Sequence, residues 1–266
     1  MPGRRAVCLD EAILTETPPV LPLLSVVVPV RNEQGNIAPL IADIEAACAG
    51  IGPFEVVYVD DGSTDGTAAA LARIAAEKPW LRVVTHAQSC GQSAAVRSGV
   101  RHARAAIVAT LDGDGQNDPA FLPQMLAALQ EGGPEAGLVQ GQRVGRKDTG
   151  FKRWQSKIAN GVRGRVLRDA TRDTGCGLKC FRREAYLSLP YFDALHRFMP
   201  ALVAREGYKV LLFDVRDRPR LTGVSNYGFF DRLWVGILDL VGVWWLIRRR
   251  KRVPQIVAPA QAGEAR

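Results

Sequence analysis

Leu111-Asp112-Gly113-Asp114-Gly115-Gln116-Asn117-Asp118-Pro119 is the stretch whose reading decides the fold. An apolar run, Ala106 to Leu111, feeds straight into two carboxylates spaced i, i+2. The run reads as a buried strand and the Asp/Gly cluster as the loop at its carboxyl end. In an open α/β sheet, ligands bind at that edge. Gly113 and Gly115 let the backbone turn sharply and come close to a ligand. Two carboxylates and an amide oxygen within five residues suit a hard divalent cation such as Mg2+ or Mn2+. Such a cation would neutralise a diphosphate as it leaves. Taken alone, the stretch reads equally as a solvated Asp/Gly turn, and the surrounding chain has to decide.

Toward the N-terminus the pattern repeats. Leu23 to Val30 is a Val-rich strand ending in the polar loop Arg31-Asn32-Glu33, and Ile37 to Cys48 has helical spacing. Phe54 to Val59 is a second strand, followed by Asp60-Asp61-Gly62-Ser63-Thr64-Asp65-Gly66 and an Ala-rich helix, Thr67 to Glu77. Leu81 to Thr85 and Gly91 to Arg104 supply another strand and helix. This alternation predicts an α/β fold with a mostly parallel sheet covered on both faces. The polar clusters at 31–33, 60–65 and 112–118 all follow strands, so they gather on one edge. Asp65 suits the cap of the helix from Thr67. Asp60 or Asp61, at a strand end, is placed either to accept hydrogen bonds from a base or ribose or simply to order the turn. Neither GxGxxG nor GxxxxGK[ST] occurs, which removes the usual dinucleotide fingerprint and the P-loop.

Toward the C-terminus, Phe121 to Gln130 reads as a helix and Gly137 to Gly141 as a strand. Residues 143–172 then carry Arg143, Arg146, Lys147, Lys152, Arg153, Lys157, Arg163, Arg165, Arg168 and Arg172, with a basic helix expected over Arg153 to Arg168. Such density is either a solvated face or a wall for phosphate. Strands are expected at Leu178 to Phe181 and Lys209 to Val215, with a helix at Arg197 to Glu206. Within Phe229 to Ile247, Leu233 to Ile247 is a 15-residue apolar core that holds three Trp and Asp239 and runs into Arg248-Arg249-Arg250-Lys251-Arg252. It falls short of the roughly 20 apolar residues of a membrane span. It reads instead as an interfacial helix on anionic lipid, with a buried amphipathic helix as the other reading.

The chain has 266 residues, 47% of them hydrophobic, and a net charge of +8. That charge fits phosphorylated substrates, anionic lipid or nucleic acid. The five cysteines form no CxxC pair and read as reduced thiols, and Arg4 and Arg5 are followed by acidic residues unlike a signal peptide. The expected division is an irregular arm over 1–22, a catalytic domain over 23–228, a membrane-associated helix over 229–252 and a disordered tail over 253–266.

Four segments in register resemble one family. Val28-Pro29-Val30-Arg31-Asn32-Glu33, Val59-Asp60-Asp61-Gly62-Ser63-Thr64-Asp65, Gly91-Gln92-Ser93-Ala94-Ala95 and Asp112 to Pro119 have the order and spacing of family 2 glycosyltransferases. The Arg/Lys stretch 143–157, Asp173-Thr174-Gly175 and Arg220-x-x-Gly223-x-Ser225 resemble the polyprenyl-phosphate subgroup, which includes dolichol-phosphate mannose synthase. The resemblance implies a GT-A fold and inverting transfer of one sugar from a nucleotide sugar to a polyprenyl phosphate. It also implies contact with membrane lipid at the cytoplasmic face of the plasma membrane, peripheral or monotopic, and leaves a homo-oligomer open. Position by position, it puts Pro29, Arg31 and Glu33 at the nucleotide and Val59 and Asp61 at the base. Asp112, Gly113, Asp114 and Gln116 take the nucleotide and metal positions, with Asp112, Asp114 and Gln116 around Mg2+ or Mn2+. Arg143 and Arg220 fall at the diphosphate or the acceptor, and Arg153 and Ser156 at the acceptor phosphate. Asp114, Arg143, Arg153 and Ser156 are thus the expected catalytic set.

The chain departs from the pattern in three places. Asn226 replaces the Lys usual after the loop serine, Gly113 replaces a frequent Ala, and one short C-terminal segment stands where many members have two membrane helices. The QxxRW signature of processive synthases is absent, which favours transfer of a single sugar. Transfer to a hydroxyl acceptor would need a carboxylate base, for which Asp173 is the candidate. A non-catalytic sugar-nucleotide sensor would leave the Asp112/Asp114 pair without a purpose. A nucleic-acid binder would leave the acidic loops unexplained, so no nucleic-acid partner is expected. His86, His102 and His196 sit in none of the motifs and receive no role.

Overall fold

A computed structural model describes residues 20–144, 161, 163–167, 171–219 and 229–249 of the chain. In chain order the elements are β1 (Leu24–Val30), α1 (Gln34–Cys48), β2 (Phe54–Asp60), α2 (Thr67–Glu77), β3 (Leu81–Thr85), α3 (Gln92–His102) and β4 (Ile107–Thr110). There follow a 3-10 turn (Pro119–Phe121), α4 (Leu122–Glu131), β5 (Ala136–Arg143), β6 (Lys179–Arg182), α5 (Arg183–Leu187), α6 (Leu195–Arg205), β7 (Lys209–Val215) and α7 (Phe229–Arg248). Residues 163–167 are helical, within the expected basic helix. Residues 1–19 of the expected arm, residues 145–152, which read as a basic loop, and the tail over 253–266 lie outside the described residues.

The strands form one seven-stranded sheet in the order β3-β2-β1-β4-β6-β5-β7. Six run the same way, and β6 runs against both β4 and β5. The result is a mixed α/β sheet of the expected class. β-Branched residues dominate β1 and β2, where they suit a pleated surface buried on both faces. Val26, Val28, Val56 and Tyr58 pack toward α1 and α4, against Ile37, Ile41 and Met125. Val27, Val57 and Val59 point the other way, into a cluster with Val96 and Val100 of α3 and Met199 and Leu202 of α6.

This topology makes the site. The carboxyl ends of β1, β2 and β4 lie side by side at one edge of the sheet. Because β6 is antiparallel, it enters that edge by its N-terminal end and brings residues 175–179 up against the loop after β4. An isolated bridge between Asn117 and Asp217 ties the segment after β7 to the same loop.

The last helix, α7, packs on α6. Val243 is buried, and Leu240, Leu246 and Ile247 join the α3/α6 cluster. The Arg205 guanidinium donates to the Leu246 and Arg249 carbonyls at 2.9 and 3.1 Å. On the outer side Ile237, Leu238, Val241, Trp244 and Trp245 are exposed. Among the described residues no helix is long and apolar enough to cross a membrane.

Candidate active site

A cavity of about 270 Å3 opens where β1 and β2 end, lined among others by Pro29, Arg31, Glu33, Asp61, Asp112 and Asp114. With Gly113, seven positions assigned from the sequence therefore share one wall. Asp61 is its best-anchored member. Its carboxylate accepts from His86 Nδ1 (2.7 Å), Ser89 Oγ (2.8 Å), and the backbone N–H groups of Cys90 (2.8 Å) and Gly91 (2.9 Å). Burial disfavours the charge, but these donors outweigh it and hold the carboxyl below the ordinary Asp range. His86 passes the chain on through Nε2 to Ser98 Oγ of α3 at 2.9 Å. Ligand atoms of Asp61, His86 and Cys90 lie within 4.8 Å of one another. The hydrogen bonds already engage that carboxylate, so the cluster is a brace that fixes it at the rim. Arg31 is exposed and its side chain pairs with no described residue.

The side chain of Val59, expected at the base, stands apart from these seven. It is fully buried in the cluster between the sheet and α3, and it does not line the cavity. Val57 and Val59 share the face of β2 that α3 covers, so the Val59 side chain lies in the core, and Asp61 reaches the cavity because it stands past the end of the strand.

The acidic loop turns under tight constraints. A Cβ on Gly113 would stand 2.3 Å from Val30 Cγ1 and 2.9 Å from the Pro29 carbonyl oxygen, so only glycine lets the loop lie on the end of β1. The Asp112 backbone N–H donates to buried Asn117 Oδ1 at 2.9 Å, closing the loop on itself. Asp114 Oδ1 accepts from the Gln116 N–H at 3.1 Å. Outside the loop, Arg218 clasps it. Its guanidinium reaches Asp43 of α1 and Asp118, each at 2.6 Å, and its N–H reaches the Gln116 carbonyl at 2.8 Å.

Asp112 stands at the centre. Gln92 Nε2 donates to it at 2.8 Å, and a Cβ on Gly177 would meet its carboxylate at 2.2 Å. Burial first, and then the charge of Asp114, push its carboxyl up to about 6. Two crowded carboxylates with an amide oxygen two residues further on fit a hard divalent cation, which would relieve that repulsion.

A second chamber of about 220 Å3 adjoins the first and shares Pro29, Gln92 and Asp112 with it. Gly175, Gly177, Lys179, His196 and Arg197 line its far side. Lys179 Nζ is buried and donates to the Cys176 carbonyl. Burial lowers its pKa. His196 Nδ1 meets Ser93 Oγ at 2.7 Å, and burial, together with Lys179 and Arg197, holds the ring neutral with a pKa down to about 3. Sequence reasoning missed Lys179, His196 and Arg197. No motif marks them, and they reach the loop only through the antiparallel entry of β6 and the docking of α6.

Of the expected basic wall, Arg143, Arg163 and Arg172 have described partners. Arg143 forms a two-point pair with Asp173, 2.5 and 3.0 Å, and its third nitrogen lies 3.5 Å from Asp217. Burial opposes this charge, but the Asp173 pair prevails and holds the guanidinium above the usual Arg range. Arg163 is buried and bonds the Thr171 carbonyl at 3.2 Å, and Arg172 pairs with Asp214 at 2.5 Å. Arg143 and Arg163 are tied into the fold by these bonds, while the Arg172–Asp214 pair is exposed to solvent. Beside the acidic loop, the described cations of the cleft are Lys179, Arg197 and Arg31. Arg153, Ser156 and Arg220 lie outside the described residues. Gln116 is on the loop but lines neither cavity.

The model of glycosyl transferase family 2 matches residues 25–189. Dodecaprenyl-phosphate galacturonate synthase of Rhizobium johnstonii is 36% identical over 234 residues, 86% of this chain and 68% of its own length. An undecaprenyl-phosphate 4-deoxy-4-formamido-L-arabinose transferase of Edwardsiella ictaluri is 34% identical over 208 residues, 77% of this chain and 63% of its own. The chain thus spans about two thirds of the length of these relatives. Among solved structures, a mannosyltransferase from Pyrobaculum calidifontis in complex with GDP-Man and Mn2+ covers 89% of this chain and 67% of its own, at TM-score 0.61 and 24% identity. Glucosyl-3-phosphoglycerate synthase of Mycobacterium tuberculosis with Mn2+, UDP and phosphoglyceric acid covers 87% and 80%, at 0.65 and 20%. These two establish a GT-A-like fold.

Proposed function

This chain belongs to glycosyltransferase family 2, and on that premise we propose that it moves a single sugar, with inversion, from a nucleotide sugar to a polyprenyl phosphate. The observation that carries the reading is one continuous cleft. A nucleoside-side wall, an acidic loop and a cationic chamber meet along it, sharing Pro29, Gln92 and Asp112. The names of the relatives support the acceptor. Asp112, Asp114 and Gln116 would hold Mg2+ or Mn2+, which supplies charge neutralisation to the departing diphosphate.

The protein's own work is placement. Pro29, Arg31, Glu33 and braced Asp61 seat the nucleoside, and Gln92 fixes the angle of Asp112. A phosphate monoester is largely ionised near neutral pH, its second pKa being about 6, so its oxygen attacks without a strong base. Electrostatics and orientation then account for the rate. Asp173 supports this choice of acceptor. A hydroxyl acceptor would need it as a base, yet its carboxylate is gripped by Arg143 and also accepts from the Gly175 N–H at 3.1 Å.

The exposed face of α7, with Arg248 over Trp244 at 4.3 Å and Arg249 over Trp245 at 5.2 Å, suits a helix lying on anionic lipid rather than crossing it. We place the enzyme there, at the cytoplasmic face of the plasma membrane, as a peripheral or monotopic protein. Arg153, Ser156, Arg143 and Arg220 remain part of the proposal as acceptor or diphosphate contacts. The test is incubation with Mn2+, undecaprenyl phosphate and a panel of UDP- and GDP-sugars. Transfer by the native chain and its loss in Asp114→Ala, with an unchanged far-UV spectrum, is the expected result. Full turnover in that variant would remove the acidic loop from the mechanism.

A further inference from the structure

The chamber beyond Asp112 is built for an anion. Of its lining side chains only Asp112 is a carboxylate, and that one belongs to the cation loop. Lys179 and Arg197 both border the chamber, as do the first turns of α3 and α6, the positive ends of those helices. Lys179 is 4% exposed, and the bond its ammonium makes is to a neutral carbonyl. Of the carboxylates that act on it, Asp173 is held by Arg143. Arg197 is exposed and forms no ion pair with any described residue. A buried ammonium bonded only to a neutral carbonyl is costly, and an anionic group entering between it and the exposed Arg197, whose charge otherwise acts on Asp239, compensates that cost.

A neutral hexose offers hydroxyl groups there but no charge. A sugar oxidised at C6 offers a carboxylate, which two cationic donors recognise well. The acceptor phosphate is the other anion within reach. Position favours the sugar: the chamber continues the nucleoside cavity through Pro29, Gln92 and Asp112, so a donor laid along the cleft brings its sugar against Lys179. We propose that this chamber selects nucleotide sugars whose sugar carries a carboxylate, with Arg197 and Lys179 as its seat and His196 as a neutral hydroxyl partner. The inference rests on the reading of the donor as a nucleotide sugar and deepens it.

The test uses matched donors that differ only at C6: UDP-galacturonate against UDP-galactose, and GDP-mannuronate against GDP-mannose. Binding to the full chain is measured calorimetrically with Mn2+ and without acceptor. The uronate of the pair with the accepted base binds tighter by about tenfold or more, the scale of a charged hydrogen bond. Arg197→Gln erases that preference while free UDP or GDP binds as before, and Arg197→Lys restores part of it. Lys179→Met, which keeps the volume of the buried stem, repeats the loss. Equal binding within both pairs, or an Arg197→Gln effect that falls alike on uronate and neutral sugar, overturns the proposal. A second arm uses citronellyl phosphate as acceptor. A raised KM for it in Arg197→Gln, with uronate preference intact, gives the anion seat to the acceptor and also overturns the proposal. Uronate preference in binding without transfer to any prenyl phosphate would instead sink the acceptor reading and leave this chamber's assignment standing.

Discussion

At position 177 the chain has room for a hydrogen and nothing more. Any Cβ there enters the space of the Asp112 carboxylate. Gly177→Ala therefore acts as a displacement of Asp112, and a misplacement of about 1 Å at a reacting centre costs on the order of a hundredfold. The expected outcome is that loss in kcat/KM with an unchanged circular dichroism spectrum and a higher Mn2+ requirement. The same carboxylate sets a pH dependence. Its raised value, about 6, means that the folded protein takes up this proton more readily than the unfolded chain. The metal-free protein therefore loses stability as pH rises from the ordinary Asp range through about 6, and Asp112→Asn raises its Tm at pH 8 while abolishing turnover. The sign reverses for the cation. Below pH 6 Mn2+ must displace a proton, so its affinity falls by about tenfold per pH unit, which calorimetry in buffers of different ionisation enthalpy reads directly. Residue by residue, the shared location of Arg31, Glu33, Asp61 and the Asp112/Asp114 loop was legible because each follows a strand at a change from apolar to polar sequence, and Pro29 is next to last in β1. Val59 was not, since motif position says nothing about which face a side chain takes. Lys179 and His196 carry no local signal at all.

Elements behave likewise. The strands announce themselves by β-branched runs, and most helices by their apolar spacing, so their order was readable. The short α5 was not anticipated, and the antiparallel sense of β6 follows from pairing across the sheet, which local sequence does not encode. That one reversal is what delivers Gly175, Gly177 and Lys179 to the acidic loop. For α7 the inner face is core, as the buried amphipathic reading expected, while the outer face is apolar and exposed, and lipid contact there is our proposal. Leu238→Glu with Trp245→Glu should therefore abolish sedimentation with vesicles containing phosphatidylglycerol and leave Tm nearly unchanged. Binding that survives in the double variant removes α7 from membrane contact. Arg205→Ala, which frees the Leu246 and Arg249 carbonyls, should lower stability by about 1–3 kcal/mol in urea titration.

For the whole molecule, the sheet edge collects groups of opposite sign within one groove. Carboxylates converge on the loop after β4, and cations sit on β6 and α6 beside it. Ligands that fill the groove bind only the folded chain, so in the presence of Mn2+ a nucleoside diphosphate at a hundred times its Kd should add about 2.7 kcal/mol of stability. A thermal shift that needs both components together would show that they share a site, and Asp114→Ala should cancel it. The net charge of +8 belongs to this scale as well. Because exposed charges are screened beyond a Debye length of about 8 Å at physiological ionic strength, vesicle binding should weaken as salt rises, while nucleotide affinity in the enclosed groove changes less.

Cys48, Cys176 and Cys180 are buried, and Cys90 is the exposed thiol among the described cysteines. Its own amide holds Asp61 at the mouth of the nucleoside cavity. Nature has thus left a chemical handle beside the doorway. Among the described cysteines a maleimide fluorophore would attach there first, and a seated nucleotide would shield it. The rate of dye attachment then becomes an optical gauge of donor occupancy, and an electrophile carried on a nucleoside would have a ready anchor for covalent inhibition.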